Sequence, residues 1–359
     1  MKNVPIFLLP DIGKTSTSTR DLLERHELYL SKYFLTQPTP SERALVFITG
    51  TQELIKDSFT FINPILLSSQ SIDSVQFALR VRRQLVKMGI FDFFIVAGTP
   101  LAPYLIALLL KLLKSKTPIQ VAVHGELSSY RTRNFSGFVK NLFLFTTLRF
   151  ANAVRFVSEE QSDKFSFFLS KKRQTVFVTP VPIHIPSEIK KKSNNSIGFV
   201  GRLHAERGVI RWGKIASAIT STEKVIVGDG PLFSEFASQH PDFNFMGQLD
   251  PKDMQRVWGE IGVLLSTAPH ESYGLAMREA LLCNIPVVST RNAGSLELER
   301  KFPELFGTFD SDNEAIHLLN HFLKNRPEDD HFLKFRIWFE NEQDHSLSRL
   351  ASVWRELAS

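Results

Sequence analysis

Short apolar runs rich in Val, Ile and Phe alternate along the chain with longer segments whose apolar positions recur every three or four residues. The runs are Val4 to Leu9, Ala44 to Thr49, Phe91 to Ala97, Ile119 to Val123, Val154 to Val157 and Thr175 to Val178. A polar stretch at Lys190 to Asn195, preceded by Pro180, Pro182 and Pro186, interrupts the pattern. It restarts at Ile197 to Val200, Val225 to Val227, Phe243 to Met246, Val263 to Leu265 and Pro286 to Val288. Such runs read as strands buried on both faces, and their alternation with amphipathic helices predicts parallel sheets with helices on both sides. The helical pattern is clear in Glu206 to Ile219, where Val209, Trp212, Ile215, Ala216 and Ile219 fall on one face. The predicted fold is α/β, with two Rossmann-like, doubly wound domains at residues 1–185 and 186–343. A last helix, 344–359, carries Leu347, Leu350, Val353, Trp354 and Leu357 at helical spacing. It follows the second sheet and is expected to dock back on the first domain.

Composition narrows the class without naming it. The 359 residues are 43% hydrophobic and 22% charged, which excludes a disordered or low-complexity chain. Two domains leave a cleft where ligands tend to bind, so a cleft enzyme is the starting expectation. Cys283 is the one cysteine. It can form neither an intramolecular disulfide nor a cysteine zinc cluster, which points to a reducing compartment. Val4 to Pro10 is too short for the apolar core of a signal peptide, and Leu101 to Leu110 falls short of the ~20 residues of a membrane span. A cytoplasmic protein is expected.

Charge is unevenly spread. Residues 1–190 carry 24 Lys and Arg against 14 Asp and Glu, whereas residues 191–359 carry 19 against 23. Within the basic half, residues 101–150 hold 7 basic residues and 1 acidic residue, Glu126, interleaved with Tyr104, Tyr130, Phe135, Phe138, Phe143 and Phe145. A peripheral contact with anionic lipid on the inner face of the membrane fits this mixture, and a solvated basic face over a phenylalanine core fits it equally. No zinc finger, RNP-like aromatic pair or basic zipper is present, so nucleic acid is not the expected partner.

In doubly wound folds, ligands lie beyond the carboxyl ends of the strands, so the loops after each run are the places to look. After Val200 comes Gly201-Arg202-Leu203-His204-Ala205-Glu206-Arg207-Gly208. Two arginines flanking a helix start make a site for a diphosphate, because the helix terminus adds unpaired N–H groups and partial positive charge. Gly228-Asp229-Gly230-Pro231 permits tight backbone geometry near a ligand. After Leu265 comes His270-Glu271-Ser272-Tyr273-Gly274-Leu275, leading to Glu279. Eight helical residues rise ~12 Å, more than the ~5 to 9.5 Å that separates the carboxylates of a glycosidase, so Glu271 and Glu279 are not a hydrolytic pair. They suit two hydroxyl-bearing parts of one long ligand, with the amides of Ser272 to Leu275 meeting phosphate. Asp310-Ser311-Asp312, the one Asp-x-Asp, precedes a helical pattern and reads as a cap.

The E-x7-E stretch, with Gly-Arg-…-Glu-Arg-Gly and Val-Gly-Asp-Gly-Pro upstream, resembles the GT-B retaining glycosyltransferases of family 4 across about residues 196–299. The resemblance implies two Rossmann-like domains facing a central cleft and transfer of a sugar from a nucleotide-diphosphate donor. The acceptor would be a hydroxyl of a glycan, a lipid-linked glycan or a polysaccharide precursor. Glu271 would contact the donor sugar, Glu279 the ribose, and Arg202 and Arg207 the diphosphate. Val121-Ala122-Val123-His124-Gly125 resembles the family strand whose histidine faces the sugar from the other domain, which makes His124 and Glu271 the catalytic candidates. A lone histidine after a strand is also readily packed or capping. Gly13, in Asp11-Ile12-Gly13, stands where the family has paired glycines, and Val181-Pro182-Ile183-His184 replaces its usual Asn-Gly hinge. Met246 to Leu249 are expected to meet the base. With arginines and helix termini supplying positive charge, no metal or other cofactor is expected. A GT-B epimerase and a binding subunit without activity are the alternatives.

Overall fold

The computed structural model of the chain describes residues 4–9, 16–49, 59–70, 72–98, 101–113, 116–123, 142, 145–170, 173–185 and 195–359. Gly13 and His124 lie outside these residues, as do all of residues 124–141 of the basic segment. The chain divides into two units, one of Met1–Pro182 with Gln343–Ser359, the other of Ile183–Glu342.

The first unit is built on strands β1 (Val4–Leu9), β2 (Ala44–Thr49), β3 (Ile62–Ser68), β4 (Phe93–Gly98), β5 (Ile119–Val123), β6 (Ala153–Phe156) and β7 (Thr175–Val178). They pair in parallel in the order β3-β2-β1-β4-β5-β6-β7. β3 escapes the sequence pattern because Pro64 breaks its apolar run, and as an edge strand it tolerates the missing amide. The twofold alternation of strand side chains sends Ile6 and Leu8 to one face and Phe7 to the other. On the first face they meet α2 (Ser74–Lys87) and α3 (Leu101–Leu113). On the second they meet α1 (Ser16–Ser31) and the end of the last helix. A short helix α4 (Glu159–Phe165) follows β6.

The second unit holds β8 (Ser196–Val200), β9 (Glu223–Val227), β10 (Asn244–Gly247), β11 (Val263–Ser266), β12 (Val287–Thr290) and β13 (Phe306–Phe309). These are parallel in the order β10-β9-β8-β11-β12-β13. Helices α5 (Val209–Ser217), α6 (Phe233–Gln239), α7 (Pro251–Trp258), α8 (Leu275–Leu282) and α9 (Ala293–Lys301) separate the strands, and α10 (Asp312–Lys324) follows β13. Trp212 of α5 is fully buried, packed edge-on to Phe199 and Phe243. Loss of such a ring costs about 3 to 5 kcal/mol.

In each sheet the strand order reverses once, between β1 and β4 and between β8 and β11. At such a point the connections leave in opposite directions and open a crevice at the strand ends. The loops after β8 and β11 lie among the described residues; those after β1 and β4 do not.

The last helix, α11 (Asp329–Ala358), is 30 residues long. Leu347, Leu350, Val353 and Trp354 enter the core of the first unit, beside Phe7, Leu30 and Phe94. The Trp354 indole N–H donates to Gln120 Oε1 at 2.6 Å, deep in β5.

Candidate functional site

The site is built from the loops that follow β8 and β11. The predicted helix from Glu206 is in fact two pieces, a 3-10 turn at Ala205–Arg207 and α5 from Val209. Gly208 separates them in the left-handed region, at φ 66°. A Cβ there would lie 2.2 Å from the Thr267 carbonyl oxygen, so only glycine lets the two loops approach this closely. The Thr267 hydroxyl is 2.9 Å from the Gly208 carbonyl oxygen and 3.2 Å from that of Arg207, and the Trp212 indole donates to Leu265 O at 3.1 Å. These bonds stitch the start of α5 to the end of β11. The Arg207 guanidinium thereby reaches the Glu271 carboxylate and forms an ion pair with it.

Gly228-Asp229-Gly230 supports the first loop from its other side. A Cβ on Gly228 would stand 1.9 Å from Gly201 O, and one on Gly230 would stand 2.4 Å from Leu203 O. Leu203 N–H donates to Asp229 O at 3.0 Å. The tight geometry expected near a ligand is thus used, among the described residues, against a neighbouring stretch of backbone. Arg202 sits on the turn so held, with an exposed side chain that makes no ion pair among the described residues.

The Glu271 loop is fastened by the start of α9. Gly294 N–H donates to Glu271 O at 2.8 Å, and Gly294 packs so close that a Cβ would be 2.8 Å from the Tyr273 carbonyl carbon. Asn292 caps α9 and donates from Nδ2 to Ala268 O at 3.1 Å, while Thr290 Oγ1 donates to the same carbonyl at 2.6 Å. Ser272 and Tyr273 are buried, Gly274 turns left-handed at φ 76°, and α8 starts at Leu275. Glu279 lies in the second turn of α8, half-buried. Sequence reasoning missed Thr267, Asn292 and Gly294. It also missed Arg278, whose only signal is a charge on the buried side of a short apolar helix.

A pocket of about 40 Å³ lies between the ends of β8 and β11, lined by Phe199, Val200, Ser266, Met277, Arg207 and Glu271. At ~10 to 15 Å³ per water this is room for a few waters. A guanidinium beside a helix start can hold an anion, and a carboxylate can hold paired hydroxyls. Asp310-Ser311-Asp312 lies elsewhere: Ser311 caps α10, and Asp312 pairs with Arg211 at 2.8 Å and Lys214 at 2.9 Å. Hydrogen bonds from Arg211 and then Lys214 hold the Asp312 carboxyl below its usual pKa. Among the described residues no group of three or more His, Cys, Asp or Glu could hold a metal ion.

A family model described as glycosyl transferases group 1 matches residues 194–314, the segment that contains all of this geometry. That match takes in about a third of the chain and lies within the second unit. The solved structures that the whole chain resembles share its GT-B architecture. Sucrose-phosphate synthase from Thermosynechococcus elongatus superposes with a TM-score of 0.78 at 14% identity over 99% of both chains. Anabaena Alr3699/HepE in complex with UDP and glucose gives 0.71 at 16% identity, again over 99% of both. The chain is also 30% identical over 113 residues to the GDP-mannose-dependent alpha-mannosyltransferase of Corynebacterium glutamicum. It is 30% identical over 102 residues to the enzyme of that name in Mycobacterium tuberculosis. Those matches take in 32% and 28% of this chain and about a quarter, 26% and 27%, of the two relatives.

Proposed function

We propose that the chain is a retaining, metal-independent glycosyltransferase that moves a sugar from a nucleotide-diphosphate donor to a hydroxyl of a glycan or lipid-linked acceptor. One observation carries this reading. The ion pair of Arg207 and Glu271 stands at the β8/β11 reversal, joining a cation suited to diphosphate with a carboxylate suited to sugar hydroxyls. Arg202, Arg207 and the amides of Ser272 to Leu275 hold the diphosphate, Glu271 the sugar and Glu279 the ribose. As the bond from the anomeric carbon to the diphosphate oxygen breaks, its electron pair leaves with the diphosphate, and these positive groups stabilise the charge. The acceptor oxygen bonds to the same face of the anomeric carbon and gives its proton to the departing oxygen. His124 keeps its assignment to the sugar on the resemblance alone, and Gly13 its assignment to substrate binding.

The names of the similar proteins suggest the first donors to try. Thermal-shift titration with GDP, UDP and ADP, followed by GDP-mannose and UDP-glucose, tests the reading. A ligand at 100 times its Kd adds about 2.7 kcal/mol of stability. Donor turnover with a retained anomeric configuration supports the mechanism, and indifference to every nucleotide removes it.

A peripheral contact with anionic membrane belongs to the same reading, and α2 supports it. One face of α2 is buried through Phe77, Ala78, Val81 and Leu85. Val75, Leu79 and Val86, each more than half exposed, line up on another, between Arg82 and Arg83. Lys87 and the exposed Met88 and Phe91 follow, and Ser74–Lys87 contains no acidic residue. Cations flanking an exposed apolar stripe match an anionic lipid surface, whereas a second copy would set like charges against each other. Among the described residues no helix is long and apolar enough to cross a membrane.

A further inference from the structure

The Glu271 turn packs against Arg278, a residue outside the E-x7-E pair. Arg278 is 1% exposed, one of the largest fully buried side chains of the protein. Its guanidinium carbon lies over the Tyr273 ring, 3.8 Å from the centroid. Nη2 donates to Glu297 Oε2 on α9 at 2.7 Å, and Nη1 lies 3.5 Å from the Gly294 carbonyl oxygen. Among the described residues Nε is buried without a hydrogen-bond partner.

Burial of a charge in this way is a poor route to stability. Desolvation of a guanidinium costs several kcal/mol, and a well-packed apolar side chain of similar volume is often as stable or more so. The unpartnered Nε adds to that cost. What the arginine does that an apolar residue cannot is connect three elements at fixed angles, through its guanidinium over Tyr273 and its fork to α9. Gly294, within its reach, is the residue whose N–H holds the Glu271 carbonyl.

From this we infer that Arg278 is a positioning residue. It fixes the Glu271–Gly274 turn against α9 and so sets how the Glu271 carboxylate meets the donor sugar. The second clause rests on the functional reading above; the first does not.

The test compares the full-length parent with Arg278→Met and Arg278→Lys. Hydrogen exchange of the unliganded proteins comes first. In Arg278→Met, amides 271–275 are expected to exchange ~10-fold faster while the strands β8, β11 and β12 keep parental rates. Arg278→Lys keeps the charge near Glu297 but lacks the flat fork, and should fall between the two. The second readout is the affinity ratio of a nucleotide sugar to its nucleoside diphosphate, measured with GDP-mannose and GDP or UDP-glucose and UDP. The ratio is expected to drop ~10- to 100-fold in Arg278→Met, because misplacement of about an ångström costs that much. A merely structural role would lower both affinities together. Parental exchange at 271–275 with a parental ratio overturns the proposal, as does a uniform rise in exchange throughout the unit. Should Arg278→Met fail to fold, Tyr273→Leu removes the ring beneath the guanidinium, keeps the pair with Glu297 and is judged by the same readouts. If the parent binds no nucleotide, the functional reading falls, and the exchange experiment still decides whether Arg278 holds the turn.

Discussion

Arg207 and Glu271 are 64 residues apart in sequence and joined by an ion pair in the structure. The contact places a guanidinium and a carboxylate at the mouth of one small pocket. On the proposed function, a ligand with a diphosphate and a sugar would draw them to different atoms, and donor binding is expected to divide the pair.

Arg207→Ala is expected to slow sugar transfer by ~2 to 4 kcal/mol of transition-state free energy, the scale of one lost charge-stabilising donor. The melting temperature should hardly move, because a partly exposed pair contributes at most about 1 kcal/mol to stability. Initial rates at saturating donor measure the first effect and a melting curve the second. Parental turnover would remove Arg207 from the mechanism.

Arg202→Ala separates binding from folding more sharply still. Its exposed side chain makes no ion pair among the described residues, so the substitution should change stability by less than about 0.5 kcal/mol. Turnover is expected to fall as for Arg207. A variant as active as the parent would leave Arg202 as surface charge.

Gly208→Ala acts through the backbone. The methyl group would have to occupy a point 2.2 Å from Thr267 O at a residue with φ 66°, so the start of α5 must move away from β11. A loss of more than about 2 kcal/mol is expected from urea midpoints, since strain and clash add. Thr267→Val, which exchanges the hydroxyl for a methyl group, should cost about 1 kcal/mol or more.

Acid should weaken the first unit through His26. Burial, and to a smaller extent the nearby Arg155 charge, outweigh the hydrogen bond to Leu22 O and push the ring pKa down to about 4. The neutral ring is therefore native. Above pH 6.5 the group is neutral folded or unfolded and leaves stability unchanged. Between pH 6.5 and about 4 the unfolded chain binds the proton and the folded one does not, so stability falls with pH by about 3 kcal/mol. His26→Phe should flatten that part of the stability profile; an unchanged slope would clear His26 of the effect.

Leu79→Glu and Val86→Glu test the α2 stripe. Both side chains are more than half exposed, so folding should survive. Sedimentation with vesicles containing phosphatidylserine is expected to capture the parent and neither variant, and to weaken as salt rises. Equal capture by purely zwitterionic vesicles, or by both variants, would count against the contact.

Much of the sheet framework could be read from the chain, because buried parallel strands announce themselves as unbroken apolar runs. The two that escaped are both edge strands: β3 is interrupted by Pro64, and β13 is only Phe306–Phe309 with a glycine inside. The loops that carry Arg207 and Glu271 were picked out as places to look, because ligands in doubly wound folds lie beyond the carboxyl ends of the strands; that the two side chains meet is seen only in the structure. What fastens those loops was not. Gly208 looked like an ordinary residue of an amphipathic helix, and Thr267 like the end of a strand. Their roles depend on backbone angles and on contacts across some 60 residues, which no local pattern encodes. Arg278 was read past as the neighbour of Glu279, because periodicity alone cannot tell a buried guanidinium from a solvated one.

Residues 343–359 belong to the same unit as residues 1–182, and Trp354 is sealed inside it against β5. During synthesis residues 1–182 must therefore wait, unfinished, while residues 183–342 are made. At ~5 to 20 residues per second the interval is roughly ten to thirty seconds, during which the sheet side that α11 will cover lies open to the ribosome's surroundings. A nonsense codon anywhere between the two units' last boundary and Trp354 would not shorten a tail. It would leave the first unit permanently incomplete and a target for chaperones and proteases.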